Sequence, residues 1–199
     1  MATHVGLTVD RLTRAGADLA DQVGLDKITV SALARLFGVA DASLYSHIKN
    51  VRDLRTRIAV LAADELAEHI SAAIAGRSGK EALVVFAHTY RKYALTHPGR
   101  YTAVQMPLPP EVAAESKGHR RIVELSYAML HAYELVEPDL TDAVRLLRST
   151  FHGFVSLEQI RGFGDPRDVQ ASWKRAIEVL HLSLQNWPSL RNQEGQRHD

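Results

Sequence analysis

Apolar residues recur at every third or fourth position along most of this chain, as one buried face of an α-helix requires. In residues 9–23, for example, Val9, Leu12, Leu19 and Val23 fall on one face, and Gly24 follows where a helix would stop. The same pattern predicts helices over about 53–74, 80–96, 99–106, 111–135, 141–160 and 167–187. No segment alternates convincingly between apolar and polar residues, so we expect an all-α protein of eight or nine helices.

Glycines and prolines divide this pattern into regions. Residues 76–79 (GRSG) form the clearest linker, and the three prolines within 107–110 predict irregular structure. We predict a first helical region over 1–52, a second helical region over 53–190, and a disordered polar tail over 191–199. The long helix that begins near Asp53 is expected to belong to both folded regions.

The most informative segment is residues 29–49, which read TVSALARLFGVADASLYSHIK. A helix-turn-helix needs a small residue where its two helices cross and a residue in the turn that tolerates a positive φ angle. Ala34 and Gly38 meet these two needs at the right spacing. Leu33, Phe37, Val39 and Leu44 supply inward apolar side chains, so the segment predicts a DNA-binding helix-turn-helix rather than a plain helical hairpin.

The second helix of such a motif enters the major groove, and here it is predicted over 41–48. The hydroxyl groups of its serines can hydrogen-bond to base edges or phosphates, and the methyl group of Ala42 can contact a thymine methyl group. Asp41 is awkward beside DNA, and either caps the helix or accepts from a cytosine amino group. The predicted DNA-binding residues are Thr29, Ser31, Asp41, Ala42, Ser43, Tyr45, Ser46, His47 and Lys49.

In this segment, the sequence resembles the TetR family of bacterial transcriptional regulators. The resemblance rests on Thr29, Leu33-Ala34, Gly38-Val39, Leu44-Tyr45, His47 and Lys49-Asn50, with Asp53-Leu54 opening the next helix. Residues 97–101 (HPGRY) and 151–158 (FHGFVSLE) are similar to one C-terminal subgroup of the family. Many members carry a phosphate-contacting lysine where this chain has Val51, so that role is not transferred to Val51.

The resemblance implies that residues 1–52 form a three-helix DNA-binding domain and that residues 53–190 form a helical ligand-binding and dimerisation domain, which a fourth helix connects to it. It implies a homodimer formed through the last two helices, whose apolar stripes include the bulky Trp173 and Trp187. Two recognition helices would then read a palindromic operator. A small-molecule effector in the core would move the fourth helix and release the DNA, although activation of transcription stays open as an alternative to repression.

Aromatic residues gather in the predicted core, where they either pack together or line an apolar pocket with a few polar groups. The predicted ligand-binding residues are Phe86, Tyr90, Tyr127, His131, Phe151 and His152.

The composition of the chain changes these predictions of fold and function only slightly. The formal net charge is +1, but residues 27–57 hold six basic residues against two acids, a local excess that suits nucleic acid. Cysteine is absent, which excludes disulfides and thiolate zinc sites. No apolar run approaches the roughly 18 residues of a membrane span, and the start of the chain has no signal-peptide pattern. We therefore expect a cytoplasmic protein without a membrane partner.

Enzymatic and metal-binding alternatives find little support in the sequence. No hydrolase motif or phosphate-binding glycine loop occurs, so we expect no enzyme, no catalytic residue and no cofactor. Glu178 and His181 form one E-x-x-H pair, whereas four-helix di-iron proteins use two such pairs with additional glutamates. An all-α metal or cofactor-binding bundle that does not bind DNA remains the alternative function.

Overall fold

The computed structural model describes residues 7–188, and every regular element in that range is helical. Ten α-helices occur there: α1 Val9–Val23, α2 Val30–Phe37, α3 Asp41–Leu44, α4 Val51–Ile74, α5 Gly79–Thr96, α6 Pro98–Val104, α7 Pro110–Glu115, α8 Lys117–Leu130, α9 Asp139–Gln159 and α10 Val169–Gln185. Short 3₁₀ turns at Leu25–Lys27 and His131–Tyr133 complete them. The predicted all-α class is confirmed. The predicted tail over 191–199 lies outside the described residues.

The helix count within 7–188 exceeds the predicted eight or nine because the proline-rich segment was misjudged. Pro110 is the first residue of α7 rather than part of an irregular stretch. Proline is tolerated there because the first helical N–H has no partner within the helix, and the ring fixes a helical φ angle. The helix predicted over 111–135 is interrupted at Ser116, whose extended ψ of 102° separates α7 from α8.

The described chain packs as two compact units. Unit 1 comprises residues 7–68 and 93–122, and unit 2 comprises residues 69–92 and 123–188. Helices α4, α5 and α8 each contribute residues to both units. Packing therefore follows different limits from the predicted functional division at residues 52 and 53, which stays a prediction about function.

Unit 1 is built around α1, α2, α3 and the first half of α4. Leu12, Leu33, Leu44, Leu54 and Ile58 are each completely buried in its apolar core. These residues come from all four helices, so the short α2 and α3 are held by tertiary packing rather than by their own helical stability.

Unit 2 has a core rich in aromatic rings. The ring centroid of Phe151 lies 5.5 Å from that of Trp173 and 5.9 Å from that of Tyr90. At the edge of this cluster, the Arg91 guanidinium lies over the Trp173 ring and binds Glu158 through two nitrogen atoms, at 2.5 and 2.7 Å. No helix within residues 7–188 combines the length and hydropathy of a membrane span.

Candidate nucleic-acid interface

The turn between α2 and α3 has the geometry that the sequence predicts. Thr29 is the N-cap of α2, and its hydroxyl oxygen accepts from the Ala32 N–H at 3.1 Å. Gly38 ends the helix in the left-handed conformation, with φ 66° and ψ 33°. The N–H groups of Gly38 and Val39 then return to the Arg35 and Ala34 carbonyls. These caps fix the direction in which the chain enters α3.

Helix α3 is shorter than predicted. It spans Asp41–Leu44 rather than 41–48, and its N-cap, Ala40, has no side chain that caps it. The Ile48 N–H still donates to the Leu44 carbonyl at 3.0 Å, so residues 45–47 continue as a helical turn. Leu44 and Ile48 are buried, and they anchor this segment to the core of unit 1 from both ends.

Eight of the nine predicted DNA-binding side chains are exposed, and His47 is half-buried. They come from the start of α2, from α3, from the turn at 45–47 and from Lys49. Tyr45 presents 55% of its surface to solvent, although it is a large aromatic residue. Ser46 donates its hydroxyl to the Ser43 carbonyl at 2.8 Å, and its oxygen can still accept a hydrogen bond.

Asp41 has a partner within the protein. The Ser31 hydroxyl donates to the Asp41 carboxylate and so joins the first turn of α2 to the first turn of α3. Both residues were predicted to contact DNA. In this structure their hydrogen bond also links the two helices where they cross, so one oxygen of the Asp41 carboxylate has a donor within the protein.

The start of α4 is capped by residues that were not singled out for this role. The Asn50 side chain accepts from the Asp53 N–H at 2.9 Å, and the Asp53 carboxylate accepts from the Lys49 N–H at 2.9 Å. This reciprocal arrangement was recognisable as an N-cap residue followed three positions later by an acid. It holds the backbone of Lys49, while Val51 is half-buried against the core and Arg52 is exposed.

A buried ionic cluster joins α1 to α6 within unit 1, and nothing in the sequence pattern indicated it. Arg100 binds Asp21 and Asp18, the latter at 2.6 Å, and lies 3.2 Å from Glu65. Burial alone lowers the pKa of Arg100, but the hydrogen bonds to Asp18 and Asp21 outweigh burial, so the pKa is raised. Asp21 also accepts from the Arg100 backbone N–H at 2.9 Å, and thereby caps α6 from a different helix.

The predicted ligand-binding residues are only partly brought together. Phe86, Tyr90 and Phe151 share the core of unit 2, with 6.3 Å between the centroids of the two phenylalanine rings. Tyr127 is half-buried, and its hydroxyl lies 3.2 Å from that of Thr141. His131 and His152 are exposed. The three aromatic residues therefore share one buried core, whereas Tyr127 is half-buried and the two histidines are exposed.

The E-x-x-H pair has ordinary partners. Glu178 binds the Lys80 ammonium group at 2.6 Å, and this hydrogen bond lowers the pKa of Glu178. The His181 ring lies 2.9 Å from the hydroxyl of Tyr133, and burial raises the pKa of Tyr133 to about 12. No group of three His, Cys, Asp or Glu side chains suited to a metal occurs in the described part of the chain.

Comparisons with known proteins agree with this arrangement. Residues 83–180 match the family described as "Tetracyclin repressor-like, C-terminal domain". An HTH-type transcriptional regulator of Mycobacterium tuberculosis is 34% identical over 189 residues, covering 93% of this chain and 85% of that protein. Another from Bacillus subtilis is 27% identical over 184 residues, covering 92% and 96%. A TetR variant of Acinetobacter baumannii, solved with minocycline, is 21% identical with a TM-score of 0.69, covering 92% and 99%.

Proposed function

The chain belongs to the TetR family of transcriptional regulators, and from that premise we propose that it is a homodimeric repressor released from a palindromic operator by a small, largely apolar effector. The observation that carries this proposal is the exposed surface of α2, α3 and the following turn. Its side chains face solvent, while caps and buried leucines fix its backbone. The alternative of a metal-binding or cofactor-binding bundle is not favoured, and we assign no enzymatic reaction to the protein. We propose that it acts in the cytoplasm, because a repressor must reach its operator there.

Within the proposed complex, the turn after α3 and the start of α2 have different tasks. Tyr45 and Ser46 are exposed beside the recognition helix and would contact the operator directly. Thr29 uses its oxygen to cap α2, so its hydroxyl proton remains for a phosphate. Lys49 adds positive charge, whose attraction to phosphates is independent of base sequence.

The proposed dimer face lies on α9 and α10. Leu146 and Leu157 of α9 and its C-cap residue Ile160 are exposed along one side, since positions 11 and 14 residues after Leu146 lie within about 40° of it on a helix. Val179 and Leu182 of α10 are 51% and 56% exposed. Large exposed apolar residues on two helices that pack together favour an interface, and a second copy of the same face provides a matching surface.

Trp173 does not belong to this face. The sequence placed it in the stripe considered for dimerisation, but it is 0% exposed and packed among the aromatic rings of unit 2. The outward side of α10 is instead supplied by smaller residues.

The proposed effector acts on unit 2, whose aromatic core is formed by α5, α9 and α10. Helices α4, α5 and α8 are continuous through both units, so repacking in unit 2 would be passed along helices whose other ends are in unit 1. Such a ligand lowers operator affinity only if it binds the DNA-free conformation more tightly than the DNA-bound one.

Operator binding tests the first part of the proposal. Fluorescence anisotropy with DNA from around the protein's own gene should show saturable binding that random duplex does not match and that weakens with salt. Replacing Tyr45 and Ser46 together by alanine should lower operator affinity by about 5- to 150-fold, as expected for lost contacts worth 1–3 kcal/mol. The Lys49→Gln change should instead reduce the salt dependence by about one phosphate contact.

The matched control is Thr102→Ala. Thr102 is exposed and donates to a carbonyl of its own helix at 2.8 Å, as Ser46 donates to the Ser43 carbonyl at 2.8 Å. Operator affinity should not change in this variant. Equal affinity of the wild type and the Tyr45, Ser46 double variant would remove the recognition surface from the proposal.

Oligomeric state tests the dimer face. Val179 and Val136 are each 51% exposed, but only Val179 lies on the proposed face. Val179→Glu should shift the protein from dimer to monomer in analytical ultracentrifugation, because it places a charge in an apolar interface. Val136→Glu should leave the dimer intact. If both variants behave alike, the interface lies elsewhere.

A further inference from the structure

Trp173 carries a polar group that the fold leaves unsatisfied. Its side chain is 0% exposed, and its indole N–H has no hydrogen-bond acceptor among residues 7–188. Nearly all buried N–H groups in proteins have a hydrogen-bond partner, because burial removes the hydrogen bond to water and an unpaired group is then destabilising. The indole N–H can therefore donate to an acceptor that the described part of the chain does not provide.

A small cavity of about 110 Å³ is lined by Phe154, whose ring also contacts the ring of Trp173. Its wall includes Phe154 and Phe163, whose ring centroids are 4.8 Å apart. The rest of the wall is formed by Asp165, Arg167, Val169 and Ser172. Phe154 also packs on Trp173, with 4.9 Å between the ring centroids. An occupant of the cavity therefore touches the same aromatic cluster that holds the unsatisfied N–H.

Phe163 is the adaptable part of this wall. It lies in the segment 160–168 between α9 and α10, it is half-buried, and Gly162 and Gly164 flank it. A cavity of about 150 Å³ accommodates a benzene ring in other proteins, so the present space is slightly too small for one. Displacement of the Phe163 ring would provide the missing volume next to Phe154.

We propose that this segment and the Trp173 cluster form a binding site for a small, neutral aromatic molecule with one hydrogen-bond acceptor. The ring of the molecule replaces Phe163 on Phe154, and its acceptor receives the Trp173 indole N–H. The proposal gives the effector of the proposed repressor a chemical class and a place, and its regulatory consequence rests on that function. Binding itself does not depend on DNA.

Two features select this class of ligand. The cavity wall carries one acid and one base, Asp165 and Arg167, so it has no net charge that favours an ionic ligand. Beside Trp173, the Arg91 guanidinium is already paired with Glu158 and also binds Gln170. Bound water is an unsuitable acceptor because it needs two to four polar partners. The rings of Phe151 and Phe154 that pack on Trp173 offer none, and the Arg91 guanidinium over its ring is already bound to Glu158 and Gln170.

The test uses the full chain in a W187F background, so that Trp173 is the only tryptophan. Acetophenone, which has a carbonyl acceptor, is titrated against ethylbenzene, which has none. Acetophenone should shift the indole N–H signal of Trp173 downfield in ¹H–¹⁵N NMR spectra and change its fluorescence to saturation. Ethylbenzene should bind about tenfold more weakly, because it lacks one hydrogen bond.

Phe163→Ala should tighten acetophenone binding several-fold, because it removes the ring that competes for the site. Phe37→Ala, a change of another half-buried phenylalanine in unit 1, should leave the affinity unaltered. Equal binding of the two probes, an unresponsive Trp173 signal, or magnetisation transfer from an ordered water to its N–H would overturn the proposal. Acetophenone binding by a protein that ignores operator DNA would instead overturn only the repressor assignment.

Discussion

The contact between α6 and α1 allows a quantitative prediction. A Cβ atom added at Gly99 would lie 2.1 Å from the carbonyl carbon of Ala20 and 2.2 Å from its oxygen. Ordinary contacts between such atoms are about 3.5–4.0 Å, and backbone atoms have no flexible end that can move aside. Gly99→Ala therefore requires α6 to withdraw from α1 by more than about 1 Å.

That withdrawal also breaks the cap of α6. The Asp21 carboxylate accepts from the Arg100 N–H at 2.9 Å, and a further 1 Å exceeds hydrogen-bond distance. Overpacking costs about 1–3 kcal/mol and a charge-assisted hydrogen bond about 1.5–3 kcal/mol, offset by up to about 1 kcal/mol from the better helix propensity of alanine. We expect a loss of about 3 kcal/mol, or roughly 6–12 °C in Tm for a chain of this size.

Differential scanning calorimetry measures this loss. Gly164→Ala is the matched control, because a Cβ there has no neighbour within 4 Å and the backbone φ is not positive. Its Tm should stay within about 2 °C of the wild type. A Gly99→Ala protein as stable as this control would show that α6 does not pack on the α1 backbone as described.

Two further substitutions test the cap of α2 and the lowered pKa of a half-buried histidine. Thr29→Ala should lower the free energy of unfolding by about 1 kcal/mol because α2 loses its N-cap, whereas Thr29→Ser should keep it; equal urea midpoints would exclude a capping role. Burial, followed by the charges of Arg91 and Lys174, lowers the pKa of His88, so the unfolded chain binds a proton more tightly than the folded protein. Stability should therefore fall as the pH drops through about 6.5, and urea denaturation at about pH 7 and pH 5 should show a smaller fall for His88→Gln; identical falls would contradict this explanation.

Local rules account for what the sequence predicted well. The helical spacing of apolar residues located most helices, because one face of each must be buried whatever its partner is. Ala34, Gly38 and Leu44 defined the helix-turn-helix, because a close crossing, a left-handed turn residue and an inward apolar residue are requirements of a few adjacent positions. The capping of α4 by Asn50 was open to the same reasoning.

Tertiary structure decided which groups meet across long stretches of chain. Arg100 reaches Asp21 from 79 positions away, and no periodic pattern pairs these two residues. Trp173 lies on an apolar stripe, but periodicity does not say whether that stripe faces the core of its own chain or a second copy. The sequence by itself therefore determined the helices and the DNA-binding motif, while the fold decided the ionic cluster, the outward face of α10 and the buried indole N–H. Helical spacing determines only that a face must be covered, and the packing of distant segments determines what covers it.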